Sequence, residues 1–434
     1  MTATLLKSFF SPRINHPTIH QLPNGLTIVA EQIPIEAVSL NVWVNVGSAA
    51  ESDDINGMAH FLEHIVFKGT YKLENGEFER RIEEKGAVTN AATSQDYTHF
   101  YITTAPNHFA ELAPLQIDVV CNPLIEAEAF ERERLVVLEE IRRSEDNVRR
   151  RTYHRAMELA FEKLPYRRPV LGPTSVIENL TPQQMRDFHN LKYQPNGITA
   201  VAVGNLPTEK LIEIVTDSFS KAQSCQSKQS KIQDTSLIYH QPETPFAEIT
   251  RREFIDDSLQ QARLVMVWRV PGLTQLQETY PLDILAAILG QGRTSRLIRD
   301  LREDRGLVSH ISVSNMTNYL QGTFCVIAHL SEENIPEVEK AIVQHIRTLQ
   351  TEFATEAEIA RVRTQVANRF VFANETPSDR AGMYGYYQSM VGDLAPALNY
   401  PARIHSIDAF DLQQTALRYL PPDAYGIVVI KPST

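Results

Sequence analysis

The spacing of apolar residues changes period several times along the chain. HQLPNGLTIVAEQ sets Asn24-Gly25 between two runs able to pair, which predicts a hairpin. VSLNVWVNVGS alternates, with Leu40, Val42, Val44 and Val46 on one face and Trp43 on the other, the period of a strand. A helical block follows, and AVTNAATSQDYTHFYITT then predicts a second pair of strands. From about Pro123 to Lys163 the pattern is helical and strongly charged. PYRRPVLG, Pro165 to Gly172, predicts a loop. Thr181-Pro182 is a favourable helix start, and GITAVAVGN, Gly197 to Asn205, predicts a closing strand.

Between about Lys221 and Pro245 the composition turns to SKAQSCQSKQSKIQDTS, polar and aperiodic, as in a linker. The pattern of the first half then returns. The two tryptophans, Trp43 in NVWVNVGS and Trp268 in VMVWRVPG, each lie in a strand-like run that ends in glycine. YQPNGITAVAV, from Tyr193, faces YLPPDAYGIVVI, from Tyr419, and the two steps along the chain agree to within one residue. A duplicated α/β unit accounts for this, with domains at residues 1–222 and 247–434 and a linker at 223–246. The stretch facing AHFLEHIV in the second half is DILAAILG, Asp283 to Gly290, with the same apolar helical character but no His or Glu.

A chain of 434 residues, 43% hydrophobic, can bury a large core in two or more domains. Its formal net charge is −11, from 42 Lys+Arg and 53 Asp+Glu, which argues against a nucleic acid as the main partner. Cys121, Cys225 and Cys325 are scattered and form no CxxC pair, so they read as ordinary thiols. The first residues lack the apolar run of a signal segment and no window is long and apolar enough to span a bilayer, so the expectation is a cytoplasmic protein.

The chemistry concentrates in MAHFLEHIVFKGT, Met58 to Thr70. On a helix, His60 and His64 lie on one face and can turn both imidazoles toward one ion. From its place beside His64, Glu63 can reach a water on that ion without binding the ion itself. The alternative is a helix whose histidines are ordinary polar groups. Phe61, Leu62, Ile65 and Val66 make this helix largely buried, and buried His and Glu need partners. A metal meets that need. Catalytic zinc takes three protein ligands, and ERERLVVLEEIRRSEDN offers Glu133 and Glu140 on one helical face, with Glu139 turned away.

HFLEHIVFKGT followed by the glutamate of VVLEEI resembles the pitrilysin/insulinase family of zinc peptidases, whose signature HxxEH inverts the commoner HExxH. Within it, the chain is similar to the bacterial processing proteases related to the catalytic subunit of mitochondrial processing peptidase. TNAATSQDYTHFY, PYRRPVLG and LGQGRTSRLIRDLREDRGL extend the resemblance over nearly the whole chain. It implies an α+β fold of two duplicated α/β domains, each a mostly antiparallel sheet flanked by helices, and two chains closing like a clamshell on a peptide substrate. It also implies one Zn²⁺ per chain held by His60, His64 and Glu140, with Glu63 as the general base and Glu133 as a further carboxylate orienting the site. Asn90, Ala91, Ala92 and Thr93 match an edge strand that takes substrate by main-chain pairing, and Arg302 matches a substrate-contacting arginine.

One departure stands out. The family pairs that arginine with a tyrosine, and Ser309 occupies the tyrosine's place here, with His310 next and on the opposite face of a regular strand. The resemblance then implies a homologous companion subunit carrying the Arg–Tyr pair, or else a homodimer. The expected function is a zinc-dependent endopeptidase acting on peptides or unfolded segments in an enclosed chamber. The competing reading is a non-catalytic or partner-dependent structural subunit of a processing-protease-like complex. GQGRTSR lacks the spacing of a phosphate-binding loop and reads equally well as a turn at a helix start.

Overall fold

A computed structural model of the chain describes residues 16–222 and 241–433. Two mixed sheets form the scaffold. The first contains β1 (Thr18–Gln21), β2 (Thr27–Gln32), β3 (Val38–Val44), β4 (Val88–Thr93), β5 (Thr98–Thr104) and β6 (Ile198–Gly204), in the spatial order β1-β2-β6-β3-β5-β4. Asn24-Gly25 turns β1 back on β2, with Gly25 at φ +92° and Thr18 opposite Ala30. The second contains β7 (Thr250–Ile255), β8 (Ala262–Pro271), β9 (Val308–Met316), β10 (Gln321–Leu330) and β11 (Gly426–Lys431), in the order β7-β11-β8-β10-β9. Each sheet has one parallel pair, β2–β6 and β7–β11, and is otherwise antiparallel. With β1 set aside, the two sheets share one strand order and the same place for the parallel pair. That is duplication seen in topology.

Helices in the first half are α1 (Met58–Ile65), α2 (Glu77–Glu84), α3 (Phe109–Cys121), α4 (Ala127–Asp146), α5 (Val148–Ala160), α6 (Thr174–Ile177), α7 (Pro182–Lys192) and α8 (Thr208–Lys221). Thr181 starts α7 through a reciprocal cap, its hydroxyl accepting from Gln184 N while Gln184 Oε1 accepts from Thr181 N. The second half adds α9 (Leu276–Gly290), α10 (Ile335–Thr351), α11 (Glu356–Phe372) and α12 (Pro377–Met390), and shorter helices beyond. α1 follows β3 and α9 follows β8, so the two occupy corresponding places. Phe61, Leu62 and Ile65 of α1 join Val38, Leu40, Val42 and Val44 in the first core, and Leu282 and Ile284 to Leu289 of α9 lie in the second.

The tryptophans lie on corresponding strands but on opposite faces. Trp268 faces Phe324 across β10 and sits in the second core. In the first sheet it is Val42 that faces Phe100 in the core, while Trp43 points to the outer face. The step from Trp43 to Trp268 is thus one residue out of structural register, and one residue reverses the face of a strand. A second correction concerns the cysteines. Cys325 is a buried free thiol, but Cys121 is disulfide-bonded. Sequence spacing reveals only CxxC-type pairs, and Cys121 stands in none.

The outer face of each sheet is covered by the other half. Ala156, Met157, Leu159 and Ala160 of α5 pack on Val265, Val267, Val428 and Ile430 of the second sheet. Ala381 and Tyr384 of α12 pack on Val29, Trp43, Val201 and Val203 of the first. The buried Glu31 carboxylate is met by Arg380 at 2.8 Å and by the Tyr384 hydroxyl at 2.8 Å. Most of the expected linker, residues 223–246, lies outside the described residues. Its last part is anchored, since the Glu243 carboxylate accepts from the backbone N–H of Glu162, Lys163 and Leu164 at 2.7–3.0 Å.

Gly385 of α12 lies so close to Trp43 that a Cβ there would overlap the indole ring. Alanine normally favours a helix over glycine by about 1 kcal/mol. Overpacking costs about 1–3 kcal/mol, and here it outweighs that gain. Gly385→Ala should therefore lower the midpoint of denaturant unfolding. An unchanged or raised midpoint would contradict the seating of α12 on Trp43.

Candidate metal centre

The loop ahead of α1 is clamped in place before the helix begins. Gly57 takes φ +98°, and a Cβ there would stand 2.5 Å from the Leu171 carbonyl oxygen, so α1 starts flush against the 165–172 loop. Arg168 from that loop donates to Asp53 Oδ1 and to the carbonyls of Ser48 and Glu51. The Glu51 carboxylate accepts from Gly57 N at 2.8 Å, Ala59 N at 2.7 Å and Asn56 Nδ2 at 2.9 Å, satisfying the exposed N–H groups of the helix start. Burial pushes Glu51 up to about 7, against these hydrogen bonds. Sequence reading missed this capping role, because the glutamate sits well outside the helix it serves.

α1 then packs on α4, where Phe61 meets Phe130 at 4.5 Å between ring centroids. That contact brings the carboxylates of α4 to the imidazoles. His60 Nε2 is 3.5 Å and His64 Nε2 3.6 Å from Glu140 Oε2. The donor atoms of His60, His64 and Glu140 all lie within 4.8 Å of one another. Ligands of a tetrahedral zinc at the usual bond lengths stand about 3.3 Å apart, so a small contraction around an ion completes the set. Among the described residues this is the one cluster of three or more His, Cys, Asp or Glu with that geometry. Glu63 is not part of it.

The groups around the cluster divide the work. His64 Nδ1 is 2.9 Å from Glu133 Oε1, which leaves Nε2 turned toward Glu140. Lys68 Nζ meets the other oxygen of Glu133 at 2.9 Å, a partner carried by the same HxxEH stretch that sequence reading passed over. Burial opposes ionisation of Glu133, but the hydrogen bonds from His64 and Lys68 outweigh it and hold the carboxyl below its ordinary range. The nearby His64 ring likewise holds Glu140 low. Burial and the neighbouring His64 lower His60 to about 4, so it presents a neutral imidazole. Burial also opposes protonation of His64, but Glu133 and Glu140 prevail and raise it to about 9. Glu139 points away and pairs with Arg142 and Arg143, as its place on the helix requires. The donor set suits a divalent ion of the zinc type.

Glu63 lies beside the cluster with its own support. Burial raises its carboxyl above the ordinary range, and its Oε2 accepts from the Thr93 hydroxyl at 2.5 Å. Thr93 ends β4, the edge strand of the first sheet, which among the described residues only β5 pairs. Ala92 and Thr93 line a cavity of about 480 Å³ together with His60, Glu63 and Glu140, while Asn90 and Ala91 line a smaller recess with Glu63, His64 and Glu133. The strand therefore runs past both sides of Glu63. Arg302 is not gathered here. It lies on a π-helical turn (Ile298–Asp304), paired with Glu303 at 2.6 Å. Ser309 donates to Gln261 Oε1 at 2.6 Å. A bulge opposite His329 and Leu330 breaks the alternation of β9, so Ser309 and His310 are both exposed instead of facing opposite ways. GQGRTSR forms a turn, with Arg296 paired to Glu358 at 2.7 Å.

Two family models match the chain, Insulinase (Peptidase family M16) over residues 27–174 and Peptidase M16 inactive domain over residues 179–366. The chain belongs to peptidase family M16, the pitrilysin/insulinase family. His60, Glu63, His64, Glu133 and Glu140 fall within the first match, and the second begins after all of them. Among M16 relatives, the chain is 26% identical to an uncharacterized zinc protease of Rickettsia felis, over 92% of this chain and 93% of the relative. It is 27% identical to a probable mitochondrial-processing peptidase subunit beta of Arabidopsis thaliana, over 95% of this chain and 77% of that one. The crystal structure of a protease from Helicobacter pylori superposes with a TM-score of 0.88 at 26% identity, covering 96% of this chain and 99% of the other. A chain of complex III2 from Candida albicans shares the fold at a TM-score of 0.78 and 16% identity, covering 95% of each chain.

His64→Ala should abolish stoichiometric zinc, measured as metal per chain after dialysis; full retention would refute the ligand set. Glu133→Gln keeps all three ligands but weakens the hold on His64, and should lower zinc affinity by about 10–100-fold in competition with a chromogenic chelator. Unchanged affinity would remove Glu133 from that role.

Proposed function

We propose that the chain is a zinc-dependent endopeptidase, with His60, His64 and Glu140 holding one zinc ion and Glu63 acting as the general base. The observation that carries this reading is the convergence of both Nε2 atoms on Glu140, with Glu63 beside them and tied to an edge strand. When bound, the ion would act as a Lewis acid toward the peptide carbonyl and acidify a water. The remaining chemistry falls to the chain. β4, paired with β5 on one side, presents its other edge along Asn90, Ala91, Ala92 and Thr93, where the Ala91 N–H is held by Asn90 Oδ1 until a peptide takes its place, so an extended peptide can add to the sheet there without strong sequence preference. Glu63, raised by burial toward a useful basicity, takes a proton from the attacking water and returns it to the leaving amine. The Thr93 hydroxyl holds the carboxylate in line with the strand.

Glu63→Gln should retain zinc and fold but lose hydrolysis of a quenched peptide library by about 10²–10⁴-fold. Zinc retained with turnover little changed would take Glu63 out of the base role.

A partner-dependent form of the same reading is favoured by one observation. Arg302 is paired with its neighbour Glu303, Ser309 is bonded to Gln261, and no phenol stands at position 309. We therefore propose that a homologous companion supplying an Arg–Tyr pair completes an enclosed chamber around the substrate. Adding such a companion should raise turnover, and no change at saturating companion would count against it.

A further inference from the structure

The cavity beside Glu63 has one wall that the metal centre does not supply. Arg150, Tyr153, His154 and Met157 lie at one-turn spacing on α5 and face into it. Ala92 and Thr93 of the edge strand line the same cavity. Its other charges are already answered. Glu63 and Glu140 belong to the centre, and Arg167 and Arg168 both reach Asp53 at 2.8 Å. Arg150 makes no side-chain hydrogen bond or ion pair among the described residues, yet it lies close enough to act electrostatically on His60 and Glu140.

Its position on the helix sharpens the point. α5 opens with Arg149, Arg150 and Arg151, three cations in a first turn that favours anions. Arg151 is compensated by Asp256 at 2.6 Å from the second half. Arg150 has no such ion pair among the described residues, and the carboxylate it acts on, Glu140, belongs to the metal centre. Burial holds His154, one turn on, below the ordinary imidazole range, so Arg150 carries the fixed charge of this wall. The helix N-terminus adds partial positive charge in the same direction.

We propose that Arg150 binds an acidic side chain of the peptide next to the scissile bond, so that the chain selects substrates with Asp or Glu there. This rests on the peptidase reading of the same site. His154 and the Tyr153 ring border the place where the carboxylate would sit.

The test uses the full chain, zinc-loaded and carrying Glu63→Gln, so that binding is read without cleavage. Fluorescent peptides differ only in one Glu, Gln or Lys, walked along a neutral sequence, and affinity is read by anisotropy. At the responsive position Glu should bind more tightly than Gln by about fivefold or more, and Lys more weakly. Adding Arg150→Glu should invert that order, while Arg150→Lys should keep it. The same order with Arg150→Glu, or no charge preference with Arg150 present, would overturn the proposal. Cleavage by the unsubstituted chain is scored separately. Charge selection that follows position 150 in a chain that cuts none of the peptides sustains the binding role and sinks the peptidase reading.

Discussion

The centre depends on the cost of taking two imidazoles out of water on one short helix. α1 is buried against α4 and the β4–β5 side of the first sheet, and nothing on α1 itself can satisfy His60 and His64. Glu133 and Glu140 from α4 meet both nitrogens of His64 and the Nε2 of His60, and their reach is set by Phe130, Val137 and Ile141, which seat α4 on the first core. The packing of two helices thus fixes the distance between donors on one and acceptors on the other. A divalent ion shared by His60, His64 and Glu140 relieves the desolvation more fully than a proton can, since it engages all three ligands at once. Everything else in the site leans on that pairing. Glu51 fixes where α1 starts, Lys68 steadies Glu133, and Thr93 connects Glu63 to the edge strand.

Much of this was legible in the sequence because it is local. Two histidines and a glutamate within one helical turn show their geometry without a fold, and Glu133 and Glu140 show theirs by standing two turns apart on α4. Alternation in β3 and the Asn24-Gly25 turn are equally local, and both appear where the pattern puts them. What escaped was contact between distant parts. The cap from Glu51, the disulfide at Cys121 and the clamp of Arg168 on Asp53 join segments that no period links. The bulge in β9 escaped for another reason: an inserted residue leaves Ser309 and His310 looking like a regular alternation until the partner strand is present. The register of the duplication failed for a related cause, because a rare residue type makes an attractive landmark without marking a face.

The exchange of helices ties the two halves to one surface. α12 covers the outer face of the first sheet and α5 that of the second, so neither sheet is complete without the other half. α5 has a double duty. Its apolar face packs on β8 and β11, and its first turns border the cavity that holds His60, Glu63 and Glu140. The half without a metal motif therefore still positions one wall of the site, through Asp256 on Arg151 and through the sheet on which α5 rests. That gives the second half a physical part in shaping the site even though DILAAILG has no His or Glu where α1 carries His60, Glu63 and His64.

The central claim is that two imidazoles and a carboxylate, brought together by α1 and α4, bind zinc. X-ray absorption at the zinc edge of the purified, zinc-loaded chain tests it most directly. The account predicts one zinc per chain in a shell of nitrogen and oxygen donors at about 2.0–2.2 Å, with imidazole scattering from two histidines and no sulfur. A shell containing sulfur, scattering from fewer than two imidazoles, or a chain that holds no zinc would contradict it.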